Sequence, residues 1–222
     1  ECGYRHGPML FLCGDMMARL MALALTHDVE PEIARDIVVR NQLKAPLQAD
    51  EAWPWAVRVH AFGALAVEIG GAPMASSRKE SRRLLELLGV LAAFGCTPVP
   101  QDQIADALWP DADGDAARNA LDNALHRLRK TLGGDDRIVL RQGALALNPQ
   151  RCWTDVGALE RVVSEWDAAP ASRRPVLLQA LRRLHHAPLL PGEMLPVVAA
   201  RREALQRQVQ RLTRASESLP DL

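Results

Sequence analysis

One segment of this 222-residue chain restricts the possible folds more than any other: an amphipathic stretch over residues 116–132, succeeded directly by a hairpin pattern. Placed at about 100° per residue, its apolar residues fall on one side and predict a helix that docks on a core. This stripe consists of Ala117, Leu121, Ala124, Leu125, Leu128 and Leu132. Residues 137–148 predict a short β-hairpin with Arg141 and Gln142 at its tip.

The other side of the predicted helix carries amide, imidazole and cationic groups. The residues on this face and its two flanks are Arg118, Asn119, Asn123, His126, Arg127, Arg129 and Lys130. Such groups read base edges and bind phosphates when a helix lies in the major groove of DNA. The helix and hairpin together therefore predict a contact with double-stranded DNA.

The overall charge gives this prediction no support, because 27 basic and 27 acidic residues leave a formal net charge of zero. The local distribution is more favourable. Six basic and three acidic residues lie between positions 118 and 141, whereas positions 99–115 hold five aspartates and no Lys or Arg. Segregation of this kind can place a cationic patch beside an acidic one.

Several functional classes find no support in the sequence. The four cysteines are far apart and form no C-x-x-C pair, so we expect reduced thiols and a cytoplasmic protein. His185-His186 has no neighbouring Cys or carboxylate, so we expect no metal site there or elsewhere. The usual phosphate-loop, dinucleotide, hydrolase and zinc-protease motifs are missing, so we expect neither an enzyme nor a cofactor. Asp15 and Arg19 interrupt the apolar run 9–25, which argues against a membrane span.

Residues 1–44 are predicted to be helical and to form the tail of an upstream region, since the chain begins at Glu1. A first apolar face consists of Met16, Leu20, Met21, Leu23 and Leu25. Pro31 is well placed to open a second helix, which carries Ile33, Ile37 and Val38. Two such helices are too small to stand alone and must pack on later elements of the chain or on upstream sequence. Residues 45–55 are predicted to be a linker that Trp53 and Trp55 pin to a neighbouring surface.

Residues 56–150 are predicted to form one domain. Alternating residues over 56–75 indicate two or three antiparallel strands. The capping-box spacing of Ser77 and Glu80 then predicts a helix that ends at Gly95. Its inward residues are predicted to be Leu84, Leu85, Leu88, Leu91 and Ala92. A second helix is predicted from about Gln101 to Leu108, and an Asp-rich loop over 109–115 leads to the long helix.

Residues 151–222 are predicted to hold three further helices, over about 155–167, 172–187 and 196–217. Their predicted apolar stripes are Val156/Leu159/Val163, Val176/Leu177/Leu181/Leu184 and Ala199/Leu205/Val209/Leu212. Helical hairpins in tandem indicate the start of an α-solenoid. The fold class is therefore mainly α with small β elements: a winged helix-turn-helix flanked by helical segments, of which the C-terminal one is tetratricopeptide-like.

Three helices between strands and a hairpin have the order of a winged helix, whose third helix enters the major groove. The segments 107–111, 116–121 and 124–130 resemble the OmpR-like winged helix, in the version joined to a bacterial transcriptional activator domain. Streptomyces antibiotic regulatory proteins and related large regulators have this arrangement. The similarity covers about 57–217, and includes the segments 155–160 and 189–193.

This resemblance implies a transcription factor that binds direct repeats and recruits RNA polymerase. It implies a base contact for Arg127, phosphate contacts for His126 and Arg129, and a polymerase contact for the 109–115 loop, although Trp109 itself is expected to fill the core. Two residues depart from the pattern: Pro100 replaces the usual Ser or Thr helix cap, and Asp122 places a negative charge beside the reading face.

The sequence as a whole predicts a DNA-binding module of a larger bacterial regulator. Phosphate contacts are assigned to Arg118, Arg129, Lys130, Arg141 and Gln142, and base discrimination to Asn119, Asn123, His126 and Arg127. The helices over 155–217 are predicted either to form homodimer contacts or to couple the winged helix to a sensor. Tandem or dimeric binding is expected, because one winged helix has a small footprint. The alternative is a protein-interaction scaffold whose winged-helix and helical surfaces dock partner proteins without binding DNA.

Overall fold

The structure, a computed structural model, describes residues 14–46, 49–74 and 82–217. Within this part the helices are α1 Gly14–Thr26, α2 Pro31–Arg40, α3 Arg82–Ala93, α4 Gln101–Leu108, α5 Gly114–Thr131, α6 Asp155–Trp166, α7 Arg174–Leu184 and α8 Pro196–Glu217. The strands are β1 Val57–His60, β2 Ala66–Ile69, β3 Ala72–Pro73, β4 Val99–Pro100, β5 Ile138–Arg141, β6 Ala144–Leu147 and β7 Cys152–Thr154. The predicted fold class is confirmed: the chain is mainly helical, with a winged helix-turn-helix between helical segments.

The strands form two small sheets, and each of them joins strands that precede and follow α4 and α5 in the chain. The first sheet has the order β3-β2-β1-β7, and the second has the order β4-β6-β5. Strand β7 pairs with β1 in parallel, with Val57 opposite Cys152. Residues 152–154 thus belong to a sheet whose other strands precede α3, and the boundary at 150/151 stays a prediction.

Helix α3 occupies the centre of the molecule and contacts α4, α5, α8 and β6. Every residue from Glu86 to Ala93 is buried, while Leu85, predicted to point inward, is half-buried. The Ser77–Glu80 capping box lies outside the described residues. At the other end, Gly95 has a φ of +61°, and a Cβ there would come within 2.9 Å of the Gly157 nitrogen. Glycine is therefore required where α3 ends against α6, as its position in the sequence predicted.

The N-terminal helices α1 and α2 pack against each other, and Pro31 opens α2 as predicted. Their predicted apolar faces are buried only in part. Met21, Leu25 and Val38 belong to the core, where the small residues Ala18 and Ala34 join them. Ile37 is half-buried, whereas four of the predicted apolar residues are exposed in the described chain: Met16 at 56%, Leu20 at 46%, Leu23 at 59% and Ile33 at 56%. The apolar residues predicted for α1 are therefore divided between the core and the surface.

The connector is pinned by its tryptophans, as predicted. Trp53 and Trp55 are both buried. The indole N–H of Trp55 donates a 2.8 Å hydrogen bond to the Asp50 carbonyl, and the Ala45 N–H donates to the Gln150 carbonyl at 3.2 Å. No helix among the described residues has the length and apolar character that crossing a bilayer requires.

The C-terminal helices are joined closely to the winged-helix part. The buried carboxylate of Asp155, at the start of α6, accepts hydrogen bonds from the N–H groups of Ala61 and Phe62 at 2.7 and 2.9 Å. Arg201 of α8 donates to the Ala93 carbonyl at the end of α3 and pairs with Glu160 of α6. The helices α6, α7 and α8 contact one another, but Val176, predicted to face inward, is exposed. Their tetratricopeptide-like character remains a prediction.

Candidate nucleic-acid interface

Helix α5 forms where the sequence supplies both a cap and an apolar stripe. The Asp113 side chain caps its start by accepting a 2.8 Å hydrogen bond from the Ala116 N–H, and Arg129 and Lys130 lie in the last turn, where cations suit the helix dipole. The buried positions are Ala117, Leu121, Leu125 and Leu128. They dock α5 on α3 and α4. The helix begins two residues before the predicted start and ends one residue before the predicted end.

The opposite face of α5 lies free. Its polar residues Asn119, Asn123, His126, Arg127 and Lys130 are all exposed. The DNA hypothesis depends on this face being accessible, and no other part of the described chain covers it. Side chains that project from one helix face at spacings of three and four residues can track a groove over several base pairs.

Arg129 is placed differently from its neighbours. Its side chain is partly buried, and its Nη2 donates a 3.2 Å hydrogen bond to the carbonyl of Ile138 at the start of β5. Its Nε is buried and has no hydrogen-bond partner in the described part of the chain. The contact holds the hairpin against the end of α5, so Arg129 positions the hairpin, and its phosphate contact stays a prediction.

Arg118 is exposed to solvent, and its guanidinium forms an ion pair with a carboxylate of α4. Its Nη2 lies 2.7 Å from Oδ1 of Asp102, in the first turn of α4. This hydrogen bond and the charge of Asp102 raise the pKa of Arg118, and Asp115 and Asp122 contribute in the same direction. The guanidinium therefore sits among three carboxylates at the N-terminal end of the reading face.

The hairpin predicted over 137–148 consists of β5 and β6, with Arg141 opposite Ala144. Gln142 and Gly143 form its turn with φ values of +51° and +75°, the signs that a two-residue hairpin of type I′ requires. Arg141 and Gln142 are exposed at the tip. The Gly143 carbonyl accepts a 2.9 Å hydrogen bond from the Gln101 N–H, which ties the tip to the start of α4.

The hairpin is widened by β4, whose Val99 and Pro100 pair with Leu145 and Ala144 of β6. Pro100 stands at the cap position of α4 and makes no side-chain cap bond. This departure from the family pattern is thus confirmed in the structure. The backbone pairing with β6 fixes the start of α4 in place of a Ser or Thr cap.

The charges on this surface divide along α5. The N-terminal end faces exposed Asp102, Asp106, Asp113 and Asp115, with Arg118 as the nearest cation on α5. The C-terminal end and the hairpin present exposed Arg127, Lys130 and Arg141. A polyanion would therefore approach the C-terminal half of the helix and the hairpin more favourably than the N-terminal half.

Sequence reasoning missed two residues at this surface. Asp102 was counted in the acidic run and given no part in the interface, although it ion-pairs with a predicted DNA-binding residue. Leu140, half exposed beside Arg141, was not singled out. The alternation with buried Ile138 places Leu140 on an inward face, so the pattern gave no signal for its exposure.

The described residues give little support to thiol chemistry or metal binding. Cys96 and Cys152 are free thiols, and burial raises their pKa values to about 11 and about 12, which keeps both protonated and unreactive. Trp109 is half-buried and packs against the core, in line with the expected filling role. Among the described residues, no three His, Cys, Asp or Glu side chains are grouped to hold a metal ion.

Comparison with solved structures shows that the fold resembles a known one. Mycobacterium tuberculosis EmbR, solved in complex with a low affinity phosphopeptide, superposes with a TM-score of 0.55 and 22% sequence identity. The match covers 71% of this chain but only 44% of the EmbR chain, so this chain spans less than half of that protein. No protein-family model and no curated protein matches the chain. At this identity the likeness establishes a shared fold.

Proposed function

We propose that the chain is the DNA-binding module of a larger bacterial transcription regulator, with α5 in the major groove and the β5–β6 hairpin on the phosphate backbone. The observation that carries this proposal is the division of α5 into a buried apolar stripe and an exposed face of amide, imidazole and cationic groups. A helix docked in this way can enter a groove without unfolding any part of the domain.

Base discrimination is assigned to the exposed residues along the middle of α5. Arg127 carries a guanidinium that matches the two acceptors of guanine, and Asn119 and Asn123 carry amides that match adenine. His126 lies beside Arg127 and adds an imidazole donor or acceptor. Each good bidentate pair contributes on the order of 1–3 kcal/mol of discrimination.

Affinity is assigned to contacts with the phosphate backbone. Lys130 ends the reading face, and Arg141 and Gln142 lie at the exposed hairpin tip, so a strand that passes α5 can meet both elements. Arg118 and Arg129 are retained as phosphate contacts. Arg118 must first leave Asp102, while Arg129 also holds the base of the hairpin.

The wider assignments derive from the resemblance to OmpR-like regulators with an activator domain. They are a cytoplasmic location, binding to direct repeats, and a contact of the 109–115 loop with RNA polymerase. A single winged helix has a small footprint, so two copies are expected on one site. The helices α6–α8 are the proposed dimer contact, and they are joined to the end of α3 through Arg201 and to the residues after β1 through Asp155.

A second candidate function, protein docking, is favoured by one observation. The exposed apolar side chains of α1 and α2, among them Leu20, Leu23 and Ile33, are of a kind that protein contacts cover. They lie outside the helix-turn-helix and its hairpin. Docking there would accompany DNA binding by α5, whereas a pure scaffold would bind no duplex at all.

To test the proposal, duplexes that bind the chain are selected from a random library at low ionic strength. The association constant K of the selected duplex is then measured at increasing salt concentrations. The proposal predicts an enriched sequence and a linear fall of log K with log salt, at about 0.9 per phosphate neutralised. Three or more phosphates would give a slope of about −2.7 or steeper. A scaffold would enrich no sequence and would bind no duplex even at the lowest salt.

A further inference from the structure

We propose that Asp102 limits the DNA affinity of the module by holding Arg118 in an ion pair that phosphate must break. The inference rests on the proposed function and names a residue that no family pattern assigned to the interface. Arg118 Nη2 lies 2.7 Å from Asp102 Oδ1, and this ion pair joins the first part of α5 to the first turn of α4.

The surroundings of Arg118 favour the paired state. Asp115 and Asp122 lie three residues before and four residues after Arg118 on α5, so both carboxylates lie on the same side of the helix and attract its guanidinium. Both α4 and α5 are docked on α3, so the pair bridges two fixed helices. Arg118 is therefore retained close to the N-terminal, acidic end of the reading face.

The pair can nevertheless open at small cost. The Arg118 and Asp102 side chains are 61% and 76% exposed, and water replaces much of the energy of such an ion pair. A phosphate that approaches Arg118 competes with Asp102 and also meets its negative charge.

The test compares two charge-matched variants of α4, Asp102→Asn and Asp106→Asn. Asp106 lies one turn further along α4, is exposed, and makes no ion pair in the described part of the chain. Both substitutions add one unit of positive charge near the interface. Only Asp102→Asn removes the partner of Arg118. The difference in duplex affinity between the two variants therefore measures the effect of the ion pair.

Binding of the full chain to its selected duplex is titrated at several salt concentrations. With Arg118 freed, we expect Asp102→Asn to bind about 2- to 5-fold more tightly than Asp106→Asn at 0.1 M salt, because phosphate then has no carboxylate to displace from Arg118. In an Arg118→Gln background the two substitutions should have the same effect, because neither then frees a guanidinium.

Equal affinities of Asp102→Asn and Asp106→Asn for the selected duplex would overturn the inference. So would an advantage of Asp102→Asn that persists in the Arg118→Gln background, since the effect would then not pass through Arg118. These outcomes leave the proposed function standing, because they require duplex binding. If neither the wild-type chain nor any variant binds duplex at low salt, the proposed function itself fails.

Discussion

Helices α1 and α5 have similar amphipathic sequences and different surroundings. Helix α5 buries one apolar stripe against α3 and α4 and exposes a face made of hydrogen-bonding and charged groups. Helix α1 buries Ala18, Met21 and Leu25, and exposes a second apolar row of Met16, Leu20 and Leu23. Both patterns have helical periodicity, but only in α5 does that periodicity separate a buried apolar face from an exposed polar face.

The difference between the two helices shows that helical periodicity alone does not determine which apolar residues are buried. A helical repeat fixes which residues share a face, whereas the surrounding elements decide how much of that face is buried. In α5 two helices cover the full width of the stripe. In α1 the described chain covers only the side that carries Ala18, Met21 and Leu25, and the apolar residues of the other side remain at the surface.

The largest expected effect tests the buried side of α5. Leu121→Ala should lower the free energy of unfolding by about 2–5 kcal/mol, because Leu121 is fully buried where α5 meets the core and truncation leaves a cavity. Urea denaturation monitored by circular dichroism measures the change. A loss below about 1 kcal/mol would mean that α5 is not docked as described.

The next largest effect is expected on DNA affinity, from a substitution on the exposed side of α5. Arg127→Ala should cost about 1–3 kcal/mol in binding to the selected duplex and should change binding to unrelated duplexes much less, because it removes a base contact. Fluorescence-anisotropy titration of both duplexes at one salt concentration gives the two values. The control is Arg19→Ala, which removes the same charge from an exposed position of α1. Equal losses on both duplexes would contradict the assignment.

A smaller and more uniform effect is expected at the hairpin. Arg141→Ala should weaken binding to all duplexes alike, by about 1 kcal/mol near 0.1 M salt, and should make the dependence of log K on log salt shallower by about 0.9. The free energy of unfolding should stay unchanged, since Arg141 is exposed at the tip. A change of sequence preference without a change of salt slope would show that the tip reads bases.

The smallest effect is expected in α1. Leu20→Ala makes the same truncation as Leu121→Ala at a position that is 46% exposed, so the free energy of unfolding should change by no more than about 0.5 kcal/mol. DNA binding should not change either. A loss as large as that of Leu121→Ala in the same denaturation assay would remove the distinction between the two helices.

Much of the fold could be predicted because local signals agree with the tertiary structure. Pro31 opens α2, Gly95 ends α3, and Gln142-Gly143 forms the turn between β5 and β6. Helix α4 has the bounds that the sequence predicted. In each case a backbone preference and an apolar pattern favour the same structure.

The remaining features depend on contacts between residues distant in sequence, which no local pattern contains. The parallel pairing of β7 with β1 joins residues about 95 positions apart, and the Asp102–Arg118 pair depends on the angle between two helices. The exposure of the reading residues could be predicted from their spacing. The second role of Arg129, which holds the Ile138 carbonyl, required the position of the hairpin.

Chemical protection of the selected duplex tests the central claim most directly. Dimethyl sulfate methylates the N7 atom of guanine, which faces the major groove. At saturating protein, we predict protection of guanines within one short block per bound copy, and loss of protection at one guanine in Arg127→Ala. Saturated complexes in which every guanine N7 remains as reactive as in free DNA would show that α5 does not lie in the major groove.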